Sequence, residues 1–373
     1  MTSIVSSNPG CRFSKTCSSD ESPSALLVLG GFFVERFNGF WHCVRQTICP
    51  DVESTMRIPH PKGYLCPRAA IAPNINGDLS KEFWRNAPWS DDFVDIEGDV
   101  KPRPTWRTRM KMLWDDNHLY IAAELTEPNV WATITQHDAV IFQDNDFEVF
   151  IDPDGDNHEY YELELNALNT TWDLRLVKPY RDGGPALNEW EIEGMQTAVK
   201  VDGVLNDASV TDRGWTVEIA LPWKALGEYS KVASPPSPGD KWRINFSRVE
   251  WDVTTQGKVT TKVPNRPEHN WVWSPQHAVD MHRPELWGYV EFSSSPRPRN
   301  RKVVDRDWET KCLLMDVYHA QKKFMGEKKR WATSLGDLGI RARGLRLQSK
   351  PSGGWTASKS GWRIHEDSLL TSV

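Results

Sequence analysis

The stretches FEVFID at residues 147–152 and YYELELN at residues 160–166 decide the fold of this chain. In both, apolar residues occupy every second position: Phe147, Val149 and Ile151, then Tyr161, Leu163 and Leu165. Successive side chains of an extended strand point to opposite faces, so this period of two predicts strands with one buried face. The segment between them is rich in Asp and Gly, which is typical of a turn.

The same alternation recurs outward from these two stretches. It is found at residues 106–112, 119–125, 172–176, 197–201, 215–221, 242–251 and 289–292. Many short alternating strands separated by turns predict an all-β fold, an antiparallel β-sandwich of the jelly-roll or immunoglobulin-like kind. Long helical patterns do not alternate with these strands, which argues against an α/β fold.

Composition divides the chain into three predicted regions. Residues 1–67 are Ser-rich at the start and predict a low-order leader, residues 68–293 form the sandwich, and residues 294–373 form a basic linker and tail. Residues 296–350 hold 15 Lys and Arg against 6 Asp and Glu. Apolar residues at 3–4 spacing over 307–324 predict a short C-terminal helix, and the composition beyond about Arg341 predicts disorder.

Charge and apolar content exclude several function classes. The net charge is −6, which gives no general attraction to nucleic acid or to an anionic membrane. The longest apolar run near the start, residues 25–34, is too short to cross a bilayer, and the acidic Asp20 and Glu21 before it are unlike a signal peptide. We therefore expect neither a nucleic-acid nor a membrane partner, and a location inside the cell or an organelle.

Six short motifs resemble family 9 carbohydrate-binding modules, in the order that family shows. They are INGDL at 75–79 with Phe83-Trp84, MLWDDNHLYI at 112–121, DNDFEVFID at 144–152, YYELELN at 160–166, GWTVEIALPW at 214–223 and LWG at 286–288. The resemblance covers about residues 70–293. It implies a DOMON-like β-sandwich that binds sugar without transforming it, in a slot between aromatic rings, and that is usually attached to enzymes that degrade plant polysaccharides.

Acidic and aromatic side chains are the candidate ligand contacts. Glu148, Glu162 and Glu164 project from the polar sides of two strands and converge if the strands pair, where they can accept hydrogen bonds from sugar hydroxyls. The full predicted ligand-binding set is Trp131, Phe142, Glu148, Glu162, Glu164, Asn166, Trp172, Trp271 and Trp273. Two members depart from the family pattern: Phe142 stands where sugar-binding members usually have Trp, and Glu164 replaces a basic residue.

The predicted chemistry needs no cofactor. Asp152, Asp154 and Asp156 alternate in the loop after the first motif strand, and oxygen ligands of this kind suit a structural calcium ion, which some family members bind. The loop lacks the bidentate Glu of an EF-hand, so a simple turn is the alternative.

Two other functions remain open at this point. A glycoside hydrolase would use Glu148 with Glu162 or Glu164 as an acid/base pair. A DOMON-like electron-transfer domain would need haem ligands, for which Met110, Met112 and His118 are the candidates. The favoured interpretation is a non-catalytic carbohydrate-binding module whose partners are a carbohydrate and a glycoside hydrolase.

Overall fold

A computed structural model describes residues 58–351 and 353–373, together with the backbone of three strands nearer the N-terminus. The chain divides into two compact units, residues 1–49 and 50–373. In the first unit, β1 (Leu27–Leu29), β2 (Phe32–Phe37) and β3 (Phe40–Val44) form an antiparallel sheet in that order. The rest of the predicted leader, up to residue 57, lies outside the described residues.

The second unit contains a sandwich whose larger sheet has nine strands. They are β4 (Gly63–Cys66), β5 (Val94–Asp95), β8 (Asp146–Asp152), β9 (Tyr160–Asn166), β10 (Thr171–Leu176), β11 (Ala186–Leu187), β14 (Lys241–Glu250), β17 (His269–Val272) and β18 (Gly288–Phe292). Their order is β11-β10-β9-β8-β14-β17-β5, and β18 pairs with the start of β14 and, in parallel, with β4. The strand β4 begins before residue 68, so the sandwich starts earlier than the sequence predicts.

The smaller sheet has four antiparallel strands in the order β12-β13-β7-β6. They are β6 (Thr108–Trp114), β7 (His118–Thr126), β12 (Gln196–Asp202) and β13 (Gly214–Pro222). A separate hairpin joins β15 (Val253–Gln256) to β16 (Val259–Lys262). A one-turn helix α1 (Trp223–Leu226) follows β13, and 3₁₀ turns lie at Glu82–Asn86, Gly98–Val100, Ile141–Gln143, Tyr180–Asp182 and Pro284–Leu286.

The core lies between the inner faces of these two sheets, as the alternation predicts. Met112, Ile121 and Val217 of the smaller sheet and Val149 and Leu163 of the larger sheet belong to one buried apolar cluster. Gly288 shows how closely this core is packed, because a Cβ atom there would lie 2.1 Å from Trp273 Cζ3. The predicted all-β antiparallel sandwich is confirmed.

The C-terminal region differs from the predicted disordered tail. The helix α2 (Trp308–Lys328) is longer than predicted and is followed by an antiparallel sheet of β19 (Arg346–Ser349), β20 (Trp355–Lys359), β21 (Trp362–His365) and β22 (Leu370–Ser372). Leu314 and Tyr318 of α2 share a buried cluster with Trp355 and Ile364 of this sheet. A single buried row of apolar side chains therefore orders a segment whose overall composition is polar.

This C-terminal region is attached to the sandwich by polar and apolar contacts. Tyr318 Oη and Ser368 Oγ donate to the two oxygens of Asp182, at 2.7 and 2.6 Å. Trp308 packs in a cluster with Leu286 and Tyr289 of the sandwich. Among the helices in the described residues, none combines the length and apolar character needed to cross a lipid bilayer.

Candidate functional site

The pairing of β8 with β9 brings the predicted carboxylates together on the outer face of the larger sheet. Glu148 lies opposite Glu164, and Glu162 lies opposite Phe150. Asp146 and Glu148 are in phase on β8, so Asp146 faces the same way. We call Asp146, Glu148, Glu162 and Glu164 the carboxylate cluster.

The cluster is buried, whereas a polar strand face is ordinarily exposed. Glu148 is 5% exposed and Glu164 is 2% exposed. Burial raises the pKa of Glu148 to about 7 and raises the pKa values of Asp146, Glu162 and Glu164 well above their ordinary range, with further increases from the neighbouring carboxylates. The cluster therefore holds protons that exposed carboxyl groups would lose at neutral pH.

Three aromatic residues adjoin this cluster. Trp172 of β10 lies opposite Glu164, and its ring is only partly buried. The backbone N–H of Phe142 donates to Glu164 Oε2 at 3.0 Å. Trp251, directly after β14, donates from its Nε1 to the Phe142 carbonyl at 2.9 Å. Trp251 is missing from the predicted set, although counting in twos from Ser247 would have placed it on this face.

Lys262 lies over the Trp251 ring at the edge of the carboxylate cluster. Its Nζ is 3.5 Å from the centroid of the Trp251 ring and 5.9 Å from that of Trp131. Burial lowers the pKa of Lys262 to about 8. Lys262 ends the hairpin β15–β16, most of whose residues are exposed. Lys262 lies only eleven residues after Trp251 but far from Trp131 in sequence, and no sequence pattern predicts that the hairpin brings it over these rings.

Several predicted ligand contacts have a different place in the structure. Trp271 and Trp273, two positions apart, share a face, but it is the core face, where they are 4% and 1% exposed. Trp131 is buried as well. Asn166 holds a turn, because its Oδ1 accepts the backbone N–H groups of Leu168 and Thr170. Trp271 and Trp273 are therefore corrected to core residues, whereas ligand contact by Trp131 and Asn166, which are buried like Glu148 and Glu164, stays a prediction.

The segment 152–156 at the end of β8, which we call the Asp152 loop, has hydrogen-bond and ion-pair partners for its carboxylates within the chain. The backbone N–H groups of Gly155 and Asn157 donate to the two oxygens of Asp152, at 2.8 and 2.9 Å. The ammonium group of Lys231 forms an ion pair with Asp156. Asp152, Asp154 and Asp156 also bring one oxygen each within 4.8 Å of the others, so calcium at this loop stays a prediction, with Lys231 as a competing positive charge.

A second buried acidic group beside the cluster is neutralised by an arginine. Arg248 of β14 is 0% exposed and its Nη2 lies 2.5 Å from Glu127 Oε2 and 2.7 Å from Glu250 Oε2. Its Nη1 donates to Thr108 Oγ1 at 3.1 Å and to the Thr126 carbonyl at 2.9 Å, both on the smaller sheet. Arg248 therefore links the two sheets and supplies one positive charge to two buried carboxyl groups, of which Glu250 has its pKa raised well above the usual range by burial.

Two open clefts lie away from the carboxylate cluster, around α1. Their volumes are about 520 and 510 Å³, and both are lined by Trp223, Lys224 and Ser234. The haem candidates are also elsewhere: Met110 and Met112 belong to the packed core between the sheets. The aromatic and acidic groups that suit a sugar are therefore concentrated at the carboxylate cluster.

Curated relatives of this chain are polysaccharide-degrading enzymes. It is 27% identical over 116 residues to exoglucanase XynX of Acetivibrio thermocellus. This match covers 31% of this chain and 9% of that protein. It is 27% identical over 141 residues to endo-1,4-beta-xylanase A of Thermoanaerobacterium saccharolyticum, which is 35% of this chain and 10% of that protein. The chain thus matches only about a tenth of the length of these relatives.

Among solved structures, the chain is similar to a family 9 carbohydrate binding module from Caldicellulosiruptor kristjanssonii. The complex of that module with cellotriose has 16% identity and a TM-score of 0.40, covering 65% of this chain and 98% of that one. Its complex with glucose has 16% identity and a TM-score of 0.41, covering 64% and 100%.

The family model described as "Carbohydrate family 9 binding domain-like" matches residues 75–292. This match is more than half of the chain and includes both motif strands, β8 and β9. It confirms the family indicated by the six sequence motifs, and with it the function of a carbohydrate-binding module. The chain belongs to the carbohydrate family 9 binding domain-like family.

Proposed function

We propose that the sandwich binds a polysaccharide or oligosaccharide at the outer face of its larger sheet, between Phe142, Trp172 and Trp251. One observation carries this proposal: neighbouring strands bring aromatic rings and buried carboxylates to the same place. Aromatic rings pack against the apolar faces of pyranose rings, and carboxylates accept hydrogen bonds from hydroxyl groups. This combination suits a neutral sugar with several equatorial hydroxyls.

Lys262 lies where a sugar ring would stack on Trp251, so ligand binding requires it to move. Its hairpin, β15–β16, joins neither sheet of the sandwich, and it is held by side contacts such as the ion pair of Lys258 with Asp207 and the hydrogen bond from the Ala208 N–H to the Lys258 carbonyl. A two-stranded hairpin is marginally stable alone and an exposed ion pair contributes little, so these contacts can give way to a ligand. The hairpin therefore acts as a cover that the ligand displaces.

We infer further that the chain does not hydrolyse the sugar. The raised pKa of Glu148 would suit a general acid. However, Asp146, Glu148 and Glu164 each have an oxygen within 4.8 Å of the others, and glycosidases hold their two carboxyl groups about 5–9.5 Å apart. The names of the relatives support a role beside a glycoside hydrolase that this chain would hold close to its substrate.

Replacement of Trp172 or Trp251 by Ala is expected to weaken sugar binding at least about tenfold, because stacking area is lost. The wild type is expected to bind with a Kd of about 10 µM to 1 mM, or about 4–7 kcal/mol. A glycan array on the full chain identifies the ligand, and calorimetry measures the variants. Trp89→Ala is the matched control, since Trp89 is also partly exposed but stacks with Arg109 of the smaller sheet. No glycan bound in either assay would contradict the proposal.

Replacement of Lys262 by Ala is expected to tighten sugar binding by about two- to thirtyfold. The reason is that the ligand no longer displaces a cation–π contact worth about 0.5–2 kcal/mol. Lys258→Ala is the control, since Lys258 lies in the same hairpin but pairs with Asp207 at 2.6 Å. Weaker binding by the Lys262 variant would show instead that this lysine contacts the sugar.

A further inference from the structure

No positive side chain forms an ion pair with the carboxylate cluster among the described residues; Lys262, which lies over the Trp251 ring, attracts Asp146 from a longer distance. By contrast, Glu250 at the end of β14 and Glu127 directly after β7 are paired with the buried guanidinium group of Arg248. Within the described ranges no ion pair to Lys, Arg or His is formed by Asp146, Glu148, Glu162 or Glu164. Burying several unpaired carboxylates is costly, so a positive partner from outside the chain would stabilise this arrangement.

The spacing of three of these carboxylates fits a single ion. One oxygen from each of Asp146, Glu148 and Glu164 lies within 4.8 Å of the others. Calcium binds oxygen ligands at about 2.3–2.6 Å, so ligands on opposite sides of the ion lie about 4.6–5.2 Å apart. All three side chains can therefore contact one calcium ion with little rearrangement. Carboxylates are hard oxygen donors, which favours calcium over zinc or copper.

A separate observation also indicates a missing partner at this place. Asp146 Oδ2 and Ser247 Oγ are buried polar atoms without a hydrogen-bond partner, and both residues are 0% exposed. Ser247 lies directly opposite Glu148 in the pairing of β14 with β8, so its hydroxyl faces the cluster. Buried polar atoms are almost always paired in folded proteins. Both atoms are oxygens and both can coordinate a cation.

We propose that Asp146, Glu148 and Glu164 bind a calcium ion, with the Ser247 hydroxyl beside it. Calcium takes six to eight oxygen ligands, and these side chains supply part of that number, in monodentate or bidentate fashion. The remaining positions belong to water or to hydroxyl groups of a ligand. The proposed ion shares the carboxylate cluster with the proposed sugar site, but its binding needs no sugar, because the chain's own side chains hold it.

The test is calorimetric titration of the full, EDTA-treated chain with calcium chloride in the absence of any sugar. We expect one bound ion per chain in the wild type, and binding at least tenfold weaker in Glu148→Gln and Glu164→Gln. Asp154→Asn is the matched control, because it removes a carboxylate from the Asp152 loop, and it should bind like the wild type. A hundredfold excess of calcium over Kd should also raise the Tm of the wild type by about 4 °C.

Two results would overturn this site. The first is no calcium binding at millimolar concentrations. The second is binding that disappears in Asp154→Asn and survives in Glu148→Gln, which would place the ion in the Asp152 loop. The Gln variants keep the shape of the side chain and remove an unpaired charge, and circular dichroism verifies that they fold. Sugar titrations with and without EDTA then report separately on the proposed carbohydrate site.

Discussion

Replacing Arg248 by Ala is expected to destabilise the sandwich by about 3–5 kcal/mol, the usual cost of removing one partner from a buried ion pair. The variant leaves Glu127 and Glu250 buried without a counter-charge, and it removes the hydrogen bonds from Arg248 to Thr108 and Thr126. Urea unfolding followed by tryptophan fluorescence measures the change in the free energy of unfolding.

An exposed ion pair provides the comparison. Arg266 pairs with Asp252 at 2.7 Å, but its side chain is 63% exposed. Arg266→Ala is therefore expected to cost no more than about 1 kcal/mol. Equal losses in the Arg248 and Arg266 variants would show that solvent reaches Glu127 and Glu250, against the buried positions described above.

Removal of the C-terminal region is expected to have the second large effect. A chain of residues 50–295 should have a Tm at least about 10 °C below that of residues 50–373, or should fail to stay soluble. The truncation exposes Leu286 and Tyr289, which pack against Trp308, and burial of two such side chains contributes about 3–6 kcal/mol. It also removes the hydroxyl partners of Asp182. Differential scanning calorimetry compares the two chains.

This expectation differs from what the sequence suggests, since the alternating region taken alone resembles a complete domain. A chain of residues 50–295 with an unchanged Tm would show that the C-terminal helix and sheet are an independent addition.

Lys178→Ala is a milder variant of the same interface, because Lys178 pairs with Asp367 at 3.2 Å and both are partly exposed. It should lower stability by no more than about 1 kcal/mol.

Much of the fold could be predicted because apolar residues occupy every second position of its strands. Phe147, Val149 and Ile151 identify the inner face of β8, and the same counting puts Glu148 on the outer face. Local alternation also predicts that Glu148, Glu162 and Glu164 converge once β8 and β9 pair. These features depend only on neighbours in sequence and on the short loop that joins β8 to β9.

Other features depend on contacts that a sequence pattern does not contain. Alternation places Trp271 and Trp273 on one face, but the identity of that face follows from the pairing of β17 with β14. The burial of the carboxylate cluster and the position of Lys262 follow from loops that return to the sheet from elsewhere. In the C-terminal region, strands of three to five residues are too short for periodicity to distinguish from polar loop.

Because β4 pairs in parallel with β18, this edge of the larger sheet can form only late in synthesis on the ribosome. Tyr289 pairs with Gly63, so the first strand of the sandwich must wait for its neighbour while the intervening chain is made. At a synthesis rate of about 5–20 residues per second, roughly 220 residues take about 10–45 seconds. During that interval the backbone N–H and C=O groups of Gly63–Cys66 remain unpaired. Slow, distant closure of this kind leaves the nascent chain open to aggregation and makes chaperone binding to its early segments valuable.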